Sequence, residues 1–497
     1  MKNYYTRFIR ILWVCLFVNL YNHSLAQTTI TLMESMKMAQ KQSLDAFKAE
    51  NMYLVSYWDY RMYHAQKLPW ITSDFTPANY RRSFVKRYNQ ALNIDQYKQE
   101  QSLENNLNFE INQNLVATGG RFFITSGTSR LQNFGNTKST SFNTNIIQVG
   151  FSQPLNGYNE FKWRRKVAPL QYEIAKADYI LQLENIHLNV VAYYFNFLIS
   201  QERYRLQKSI LEDAKSSIII GKERFKTAFI TKSELVDLEL DVYNAEVQLA
   251  EANKSLMKSK SIFTSYLDID ANTDWTPVLP AIDNKTSIDK VTAIQKAFEN
   301  NPEILGLKTK ELTAAQQVDK RIKESRFKAN IGATYGLNQQ GPTFNESLKD
   351  PMDQQSILLN LSIPILDWGN RKGQKQKALK NQEVVRIEAA QKRQSFEQEV
   401  LLATIDFNLQ PKVVNNSQKA KNAAEDAYNM NYRRYIEGNV DLLQLQSSRQ
   451  KRSSAQIAYI QSIYQFWSYL YKIRKQTLYD FQNSMPLSTN FDALVTN

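Results

Sequence analysis

Apolar and polar residues alternate in several short segments of this chain. In the segment 107–115, apolar residues occupy most alternate positions, and asparagine or glutamate occupies the positions between them. The segments 331–337 and 356–363 show the same alternation. Because successive side chains of a strand point to opposite faces, each segment predicts a strand with one apolar and one polar face. Such a strand suits a sheet on a soluble core, and it equally suits a barrel between lipid and water.

Two much longer stretches have the composition of helices. They extend over about 157–228 and 369–437. At about 1.5 Å per residue, roughly 70 helical residues form a rod of about 100 Å. Pro169 lies near the start of the first stretch, whereas Pro411 lies inside the second and is expected to kink or interrupt it.

The helix that follows the first long stretch carries a heptad of apolar residues. Their spacing alternates between three and four positions, which is typical of helices that pack along each other as a coiled coil. The heptad residues are Leu235, Leu238, Val242, Ala245 and Leu249. We therefore expect close packing between long neighbouring helices.

The order of these elements occurs twice along the chain. Each half opens with a helical stretch, over 31–66 and 288–327, and continues with strands, a very long helix, a tight break and a returning helix. The second half aligns with the first at a constant shift of 210 positions, which places Pro154 on Pro364. Identities are few, but strand ends, helix starts and helix turns keep this register. A constant shift predicts an internally duplicated fold whose long helices have equal lengths.

The first half holds an additional segment upstream of the long helix. The best shift there is 258 rather than 210, which places 39–43 on 297–301, so the first half carries 48 more residues. These include the segment 107–115, a turn at Gly119-Gly120 and a second apolar segment over 122–131. A glycine pair between two such segments predicts a β-hairpin. We therefore expect four strands in the first half and two in the second.

Residues 1–26 have the composition of a secretory signal peptide. Three basic residues precede an apolar run over 11–20, and small residues at 24–26 form a cleavage site. The alternative is an uncleaved anchor helix, for which the run is short. The single cysteine, Cys15, lies inside this leader, so we expect a mature chain without disulfides. The expected organisation is a leader over 1–26, a first repeat over 27–275, a second repeat over 276–483 and a C-terminal tail over 484–497.

The chain is basic, with a formal net charge of +14. A basic balance invites a nucleic-acid function. Acidic residues are spread along the same helices, however, and export directs the chain away from nucleic acid, so we expect no nucleic-acid partner. No segment after the leader holds 18 or more consecutive apolar residues, and we expect no transmembrane helix.

Enzyme functions find little support in the residues. After the leader only His64 and His187 remain, far apart in sequence and without neighbours at metal-ligand spacing. The chain has no phosphate-binding glycine loop, nucleophile elbow or zinc signature. We therefore expect no catalytic residues, no metal and no cofactor.

A set of short motifs resembles the TolC family of outer-membrane efflux proteins over nearly the whole chain after the leader. The motifs are 152–155 leading into 162–164, 361–365 leading into 367–369, and the helix turns 224–228 and 434–438. Their order and spacing together carry the resemblance. The hairpin at 118–120 looks like the variant seen in Bacteroidetes members of the family.

The resemblance implies a mixed α and β membrane protein that assembles as a homotrimer. Strands from three protomers would close one β-barrel in the outer-membrane lipid, and the long helices would continue it as a periplasmic α-helical barrel. With six strands per protomer, the barrel would be wider than that of the usual member, which contributes four. A periplasmic adaptor (membrane fusion) protein and an inner-membrane transporter would supply the cargo.

The implied function is an outer-membrane exit channel of a tripartite efflux pump or a type I secretion system. Such a channel conducts cargo passively and is not an enzyme. The alternative is a periplasmic coiled-coil scaffold or adaptor without a pore, which would need the helices but not matched strands in both halves. A nucleic-acid binder is a more distant alternative.

The resemblance also implies a resting gate at the helix turns. An acidic residue after the first turn and an aromatic residue before the second help to close the tip in the family, and these places fall on Glu234 and Tyr435. A basic partner in the second turn falls on Val440, so Arg434 or Arg433 would have to substitute. The alternative is that Tyr435 simply packs between helices.

Two further sets of residues are expected to make external contacts. The helix turns would meet the adaptor, and three tryptophans near the periplasmic ends of strands would lie at the membrane interface. The turn residues are Ala228, Phe229, Ile230, Thr231, Gly438, Asn439, Val440 and Asp441. The tryptophans are Trp70, Trp163 and Trp368. The alternative for these tryptophans is a solvated, charged helix start.

Overall fold

The computed structural model describes residues 28–90, 93–134, 138–283 and 286–496. The expected signal peptide over 1–26 and Cys15 lie outside these residues. The chain folds into two compact units. Among the described residues, the helical unit comprises 28–54, Lys176–Ile304 and 394–496, and the sheet unit comprises Val55–Ala175 and Leu305–Arg393.

The sheet unit contains one antiparallel sheet of six strands. The strands are β2 (Trp70–Asn89), β3 (Ile94–Leu115), β4 (Gly120–Asn133), β5 (Ser139–Pro154), β7 (Lys328–Gly341) and β8 (Met352–Ser362). Their order in the sheet follows the chain, from β2 at one edge to β8 at the other. Four strands from the first half and two from the second confirm the predicted count. The hairpin β3–β4 is the predicted additional one, and Gly119 adopts the left-handed φ of +77° that its tight turn requires.

Apolar side chains line one face of this sheet. The pairing register places Ile71, Ile111, Ile124, Val149 and Tyr335 in one row across five strands. Neighbouring residues face the other way, as Asn112 does, with only 3% of its surface exposed. The alternation predicted from the sequence is therefore present, with the apolar side chains on the more exposed face.

Each half opens with two helices rather than one. The first half has α1 (Leu32–Gln42) and α2 (Leu44–Ala65), and the second has α5 (Lys290–Asn300) and α6 (Pro302–Glu324). The predicted helical stretches over 31–66 and 288–327 are therefore helical, and each is divided by one break. Ser43 has extended backbone, and its Oγ accepts a hydrogen bond from the N–H of Ala46. Pro302 forces extended backbone on Asn301, so the helix ends before it.

The long helices have equal lengths in the two halves. The first helix pair consists of α3 (Glu160–Lys226) and α4 (Lys232–Leu267), and the second consists of α7 (Asn370–Ile436) and α8 (Leu442–Thr477). The longer helix has 67 residues in both pairs and the shorter has 36. All four boundaries differ by the predicted 210 positions, and α1 and α5 differ by the predicted 258. The internal duplication is thus visible in the elements themselves.

The helix α7 passes through Pro411 without an interruption. The prediction that this proline could interrupt the helix was wrong. A proline inside a helix costs about 3 kcal/mol through its lost hydrogen bond and its clash with the preceding turn. Around it, the ring of Phe407 lies 5.4 Å from that of Phe466 on α8, and Gln410 donates to the carbonyl of Ser462 at 2.8 Å. This packing supports a helix that continues through the defect in its hydrogen bonds.

Short elements complete the helical unit. The parallel strands β1 (Thr28–Ile30) and β6 (Trp275–Pro277) pair with each other, and Tyr194 Oη lies 2.9 Å from the Ile30 carbonyl oxygen. The chain ends with β9 (Tyr479–Asp480), β10 (Met485–Pro486) and α9 (Phe491–Thr496). In the predicted heptad, Leu235, Leu238 and Ala245 are buried. In the part of the chain that the structure describes, no helix has the length and apolarity needed to cross a membrane.

Candidate functional site: the paired helix turns

Each long helix ends in the same capped turn. In the first turn, Ala228 has a φ of +57°, and the N–H of Phe229 donates to the carbonyl of Arg224 at 2.9 Å. In the second turn, Gly438 has a φ of +84°, and the N–H of Asn439 donates to the carbonyl of Arg434 at 2.8 Å. These bonds satisfy carbonyls that a helix end leaves unpaired, in the arrangement of a Schellman motif. Both turns therefore lie where the sequence predicted them.

The carboxylate of Glu234 caps its own helix. It accepts hydrogen bonds from the N–H of Thr231 at 2.7 Å and from the hydroxyl of Thr231 at 2.9 Å. The backbone bond from Thr231 is the main reason why the pKa of Glu234 lies below its ordinary value. In the second half Asp441 corresponds to Thr231, and its carboxylate caps α8 by accepting from the N–H of Gln444 at 2.7 Å. The predicted gate acid is thus engaged in a capping box.

The ring of Tyr435 is buried, with 4% of the residue exposed. It packs in a cluster with Tyr428 and Leu445, and burial raises the pKa of its phenol. This placement matches the alternative in which Tyr435 packs between helices. Val440, at the expected basic position, is 9% exposed and adds apolar surface in the second turn. The arginines offered as substitutes, Arg433 and Arg434, are exposed and have no hydrogen bond or ion pair from their side chains to any described residue.

The residue that joins the two turns is Arg224. Its Nη2 donates to the carbonyl of Tyr435 at 2.6 Å and to that of Ile436 at 3.0 Å, and its guanidinium lies 5.1 Å from the Tyr435 ring. A cation at a helix C-terminus stabilises the free carbonyls and the negative end of the helix dipole. In the sequence this arginine stands only within the turn motif 224–228. Its position 210 residues before Arg434 was the available signal.

Two buried arginines of α8 lie behind the turns. Arg449 is 4% exposed and its Nη1 donates to Asp241 Oδ2 at 3.0 Å. Arg452 lies 3.8 Å from the Tyr428 ring, whose hydroxyl donates to Asp213. Burial raises the pKa of that phenol. No local signal marks these residues, because a buried arginine is recognised by its acidic partners, which here lie more than 200 positions away.

The three predicted interface tryptophans have different surroundings. Trp70 begins β2 and is 37% exposed, whereas Trp368 lies in the turn before α7 and is 90% exposed. Trp163 lies in the first turn of α3, and its Nε1 donates to Asp319 Oδ2 on α6 at 2.9 Å. The side chains of Trp70 and Trp368 are therefore accessible at the surface, whereas Trp163 links α3 to α6.

The histidines have local partners. His64 contacts the rings of Tyr60 and Tyr63, and His187 donates from Nδ1 to Glu184 at 3.2 Å. Among the described residues, no group of three or more His, Cys, Asp or Glu side chains is placed to hold a metal ion.

Comparisons with known proteins agree with these features. A sequence profile of the family described as outer membrane efflux protein matches residues 119–261 and 293–475. The cobalt-zinc-cadmium resistance protein CzcC of Cupriavidus metallidurans is 22% identical over 333 residues, covering 64% of this chain and 73% of that relative.

Two solved outer membrane proteins share the fold. The CmeC outer membrane channel of Campylobacter jejuni superposes with a TM-score of 0.65 at 15% identity, covering 94% of this chain and 88% of that one. The outer membrane protein VceC of Vibrio cholerae superposes with a TM-score of 0.62 at 13% identity, covering 90% of this chain and 95% of that one.

Proposed function

Because this chain belongs to the outer membrane efflux protein family, whose members are exit channels of the outer membrane that extend into the periplasm, we propose that it works as a homotrimer in a tripartite system. A periplasmic adaptor and an inner-membrane transporter deliver cargo to it, either in an efflux pump or in a type I secretion system. The trimer then conducts the cargo passively. The TolC-type resemblance and the mixed α and β architecture predicted from the sequence are confirmed.

The exposed apolar face of the six-stranded sheet is the observation that carries this proposal. Ile71, Phe75 and Ile357 are 70%, 65% and 80% exposed on that face. A protein surrounded by water rarely leaves a contiguous surface of this kind uncovered, whereas the outer face of a membrane sheet must be apolar. The competing function, a coiled-coil scaffold without a pore, would have no need for such a face.

The open edges of the sheet support the trimer. β2 and β8 each have a neighbour on one side only, and they contain 20 and 11 residues. Unpaired backbone groups in hydrocarbon each cost several kcal/mol, so an edge of this length needs a partner strand. Pairing β8 of one copy with β2 of the next covers both edges, and a closed ring of copies leaves none open.

The turns support the adaptor contact. Phe229 is 83% exposed at the first turn, and Leu443 is 74% exposed just after the second. Exposed apolar side chains on capped turns suit a protein partner better than bulk water. We infer that both turns point toward the adaptor, and that Tyr435 and Arg224 hold the resting tip closed between them.

Reconstitution tests the proposed function directly. The purified full chain should sediment with outer membranes, have the mass of three copies in detergent and give discrete conductance steps in planar bilayers. Heat-denatured protein at the same concentration is the control for detergent leaks. A chain that stays in the soluble fraction and gives no steps would favour the scaffold.

A further inference from the structure

The hairpin of β2 and β3 extends past the other strands of the sheet. β4 ends at Asn133, which pairs with Ser102 on β3, whereas β3 itself begins at Ile94. Among the described residues, 94–100 therefore pair with β2 alone, over a length of about 24 Å at about 3.4 Å per residue. We call the paired residues 80–89 and 94–103 the projecting hairpin. A two-stranded hairpin is only marginally stable in water, so a surface that covers it would stabilise it.

One face of the projecting hairpin continues the apolar face of the sheet. An irregularity in the pairing over 76–79 adds one residue to β2 and exchanges the two faces of that strand. Leu107 and Leu103 lie on the same face of β3, and their partners on β2 are Phe75 and Tyr80. The odd-numbered residues of β2 therefore lie on the apolar face before the irregularity, and the even-numbered residues lie on it afterwards.

Aromatic and basic residues alternate along β2 on this face of the projecting hairpin. Tyr80, Phe84 and Tyr88 are each at least 59% exposed. Arg82 and Lys86 lie between them in the sequence, on the same face, and are exposed as well. The face therefore offers large apolar rings and cations side by side along one strand.

The two cations of this face differ in their partners. Lys86 Nζ lies 2.8 Å from Asp95 Oδ2 on the same face, and the two side chains are 56% and 47% exposed. Arg82 lies opposite Gln101, and its side chain has no hydrogen bond or ion pair with any residue that the structure describes. The guanidinium of Arg82 is therefore available to an anion from outside the chain.

The length of β2 places this face beyond the hydrocarbon of the membrane. An apolar band about 25 Å tall, crossed by strands tilted by about 40°, takes up about ten residues of each strand. β2 begins at Trp70, directly after α2, which is the periplasmic end of the sheet in the orientation proposed above. The band then extends over about 70–79, and the residues from Tyr80 onward lie at the level of the lipid head groups of the outer leaflet.

Resting on the outer-membrane channel proposed above, we propose that this face of the projecting hairpin binds phosphate-bearing glycolipid head groups of the outer leaflet. The guanidinium of Arg82 donates to phosphate oxygens, whose geometry suits its planar fork of N–H groups. Lys86 adds a second cation next to it, partly balanced by Asp95. The face is continuous with the lipid-facing residues of the sheet, so lipid head groups are the molecules that reach it.

The row of aromatic rings favours a glycolipid over a simple phospholipid. A phosphate alone would engage the cations and leave Tyr80, Phe84 and Tyr88 exposed to water. Amphipathic aromatic side chains are favoured at the level of lipid head groups, and their flat apolar faces pack against the C–H groups of sugar rings. Rings and cations in alternation therefore match a head group that carries both sugar and phosphate.

Amide hydrogen exchange over 80–88 tests this binding at the proposed site. The full chain is reconstituted into phosphatidylcholine vesicles with and without monophosphoryl lipid A, and each variant is compared with itself. Lipid A should slow exchange in the wild type about tenfold, as a bound ligand stabilises the segment it covers. Arg82→Gln should lose most of this protection. The adjacent Arg81→Gln, on the opposite face, should keep it.

Two further vesicles separate the contributions of phosphate and sugar. Dephosphorylated lipid A and phosphatidylglycerol should each protect the wild type much less than monophosphoryl lipid A does. Equal protection by either of them, or equal losses in Arg82→Gln and Arg81→Gln, would overturn the proposal. Absence of protection in a chain that conducts normally would overturn it as well and leave the proposed function intact. A wild-type chain that stays soluble and gives no conductance steps would overturn both.

Discussion

At the scale of single residues, Arg224 joins the two turns. It contributes a cation to the end of α7 and covers the ring of Tyr435. The gate residues expected from family resemblance have other contacts here, because Glu234 caps α4 and Val440 is apolar. Closure of the tip, in our proposal, depends on packing and on hydrogen bonds to carbonyls rather than on a carboxylate–arginine pair.

The packing of Tyr435 gives a first prediction. Tyr435→Ala removes a buried ring, which costs about 3–5 kcal/mol locally, and should raise the resting conductance of reconstituted channels. Tyr435→Phe keeps the ring beneath Arg224 and should conduct as the wild type does. Equal resting currents in the alanine variant and the wild type would exclude a gate role for this residue.

The paired left-handed residues give a second prediction. An alanine pays a steric cost at φ near +57° that glycine does not, so Ala228→Gly should stabilise the first turn by about 1 kcal/mol. Gly438→Ala should destabilise the second turn by a similar amount, although a Cβ there would lie 3.8 Å from Arg224 Nη2 and has room. Amide hydrogen exchange at Phe229 and Asn439 measures both effects. Changes of the same sign in the two variants would contradict this account.

At the scale of elements, local caps set where the helices begin and end, and long-range contacts hold the helices together. Helix boundaries coincide with local signals such as Thr231, Asp441 and Pro302. The helical unit is then held together by contacts between helices that are distant in sequence. One of these joins Glu184 on α3 to Arg474 on α8 at 3.1 Å, and Arg474 also donates to Asp480 at 2.7 Å.

That contact predicts acid sensitivity. Burial raises the pKa of Glu184, but the hydrogen bond from His187 and the charge of Arg474 outweigh burial, and the resulting pKa lies below 4.5. A carboxyl with a lowered folded pKa stabilises the fold fully above its unfolded pKa and loses that contribution as the pH falls through the folded pKa. The melting temperature of the wild type should therefore decrease when the pH is lowered below about 4.5. The decrease should be smaller in Glu184→Gln. The exposed Glu212→Gln is the control, and equal pH profiles for Glu184→Gln and the wild type would contradict the prediction.

The first turn predicts a defect in adaptor binding. Phe229→Ser removes a residue that is 83% exposed and should lower the yield of adaptor crosslinks about tenfold, as expected for a central interface residue. The trimer should form normally, because the backbone bonds of the turn remain. Met257→Ser, which changes a residue 64% exposed on α4, should leave the crosslinks unchanged. Equal yields from both variants would place the adaptor elsewhere.

At the scale of the whole molecule, our proposal places the sheet unit in lipid and the helical unit in the aqueous periplasm. The sheet unit exposes apolar residues on one face, as a lipid-facing surface requires, whereas the helical unit has a core of buried aromatic rings. Phe195, Phe197, Phe263 and Phe466 are each at most 1% exposed in the helical unit. Apolar side chains are thus exposed on the sheet and buried in the core of the helical unit.

The lipid face gives a fifth prediction, with adjacent residues as a matched pair. Ile357→Lys places a charge on the apolar face of β8 and should cost about 2–4 kcal/mol of membrane stability near the bilayer midplane. Ser356→Lys places the same charge on the opposite face and should cost much less. Recovery of heat-resistant trimer from outer membranes measures both variants. Equal recoveries would show that this face does not meet lipid.

Local signals in the sequence specify the elements and their repetition. Alternating strands, the hairpin at Gly119, the equal long helices and the shifts of 210 and 258 positions all follow from signals within a few residues, since hydrophobic periodicity and caps act locally. The Thr231–Glu234 capping box was also present in the sequence as a local motif. The two-helix openings were missed, although Pro302 marked one of their breaks.

The tertiary structure alone decided which distant residues meet. It carried α7 through Pro411, placed Arg224 on the carbonyls of Tyr435 and Ile436, and gave Trp163 its partner Asp319. The contacts of Trp163 and Arg224 join residues that lie 156 to 212 positions apart. The packing around Pro411 joins residues that are closer in sequence. No local pattern specifies such partners, because they depend on how the elements pack once the apolar faces are buried.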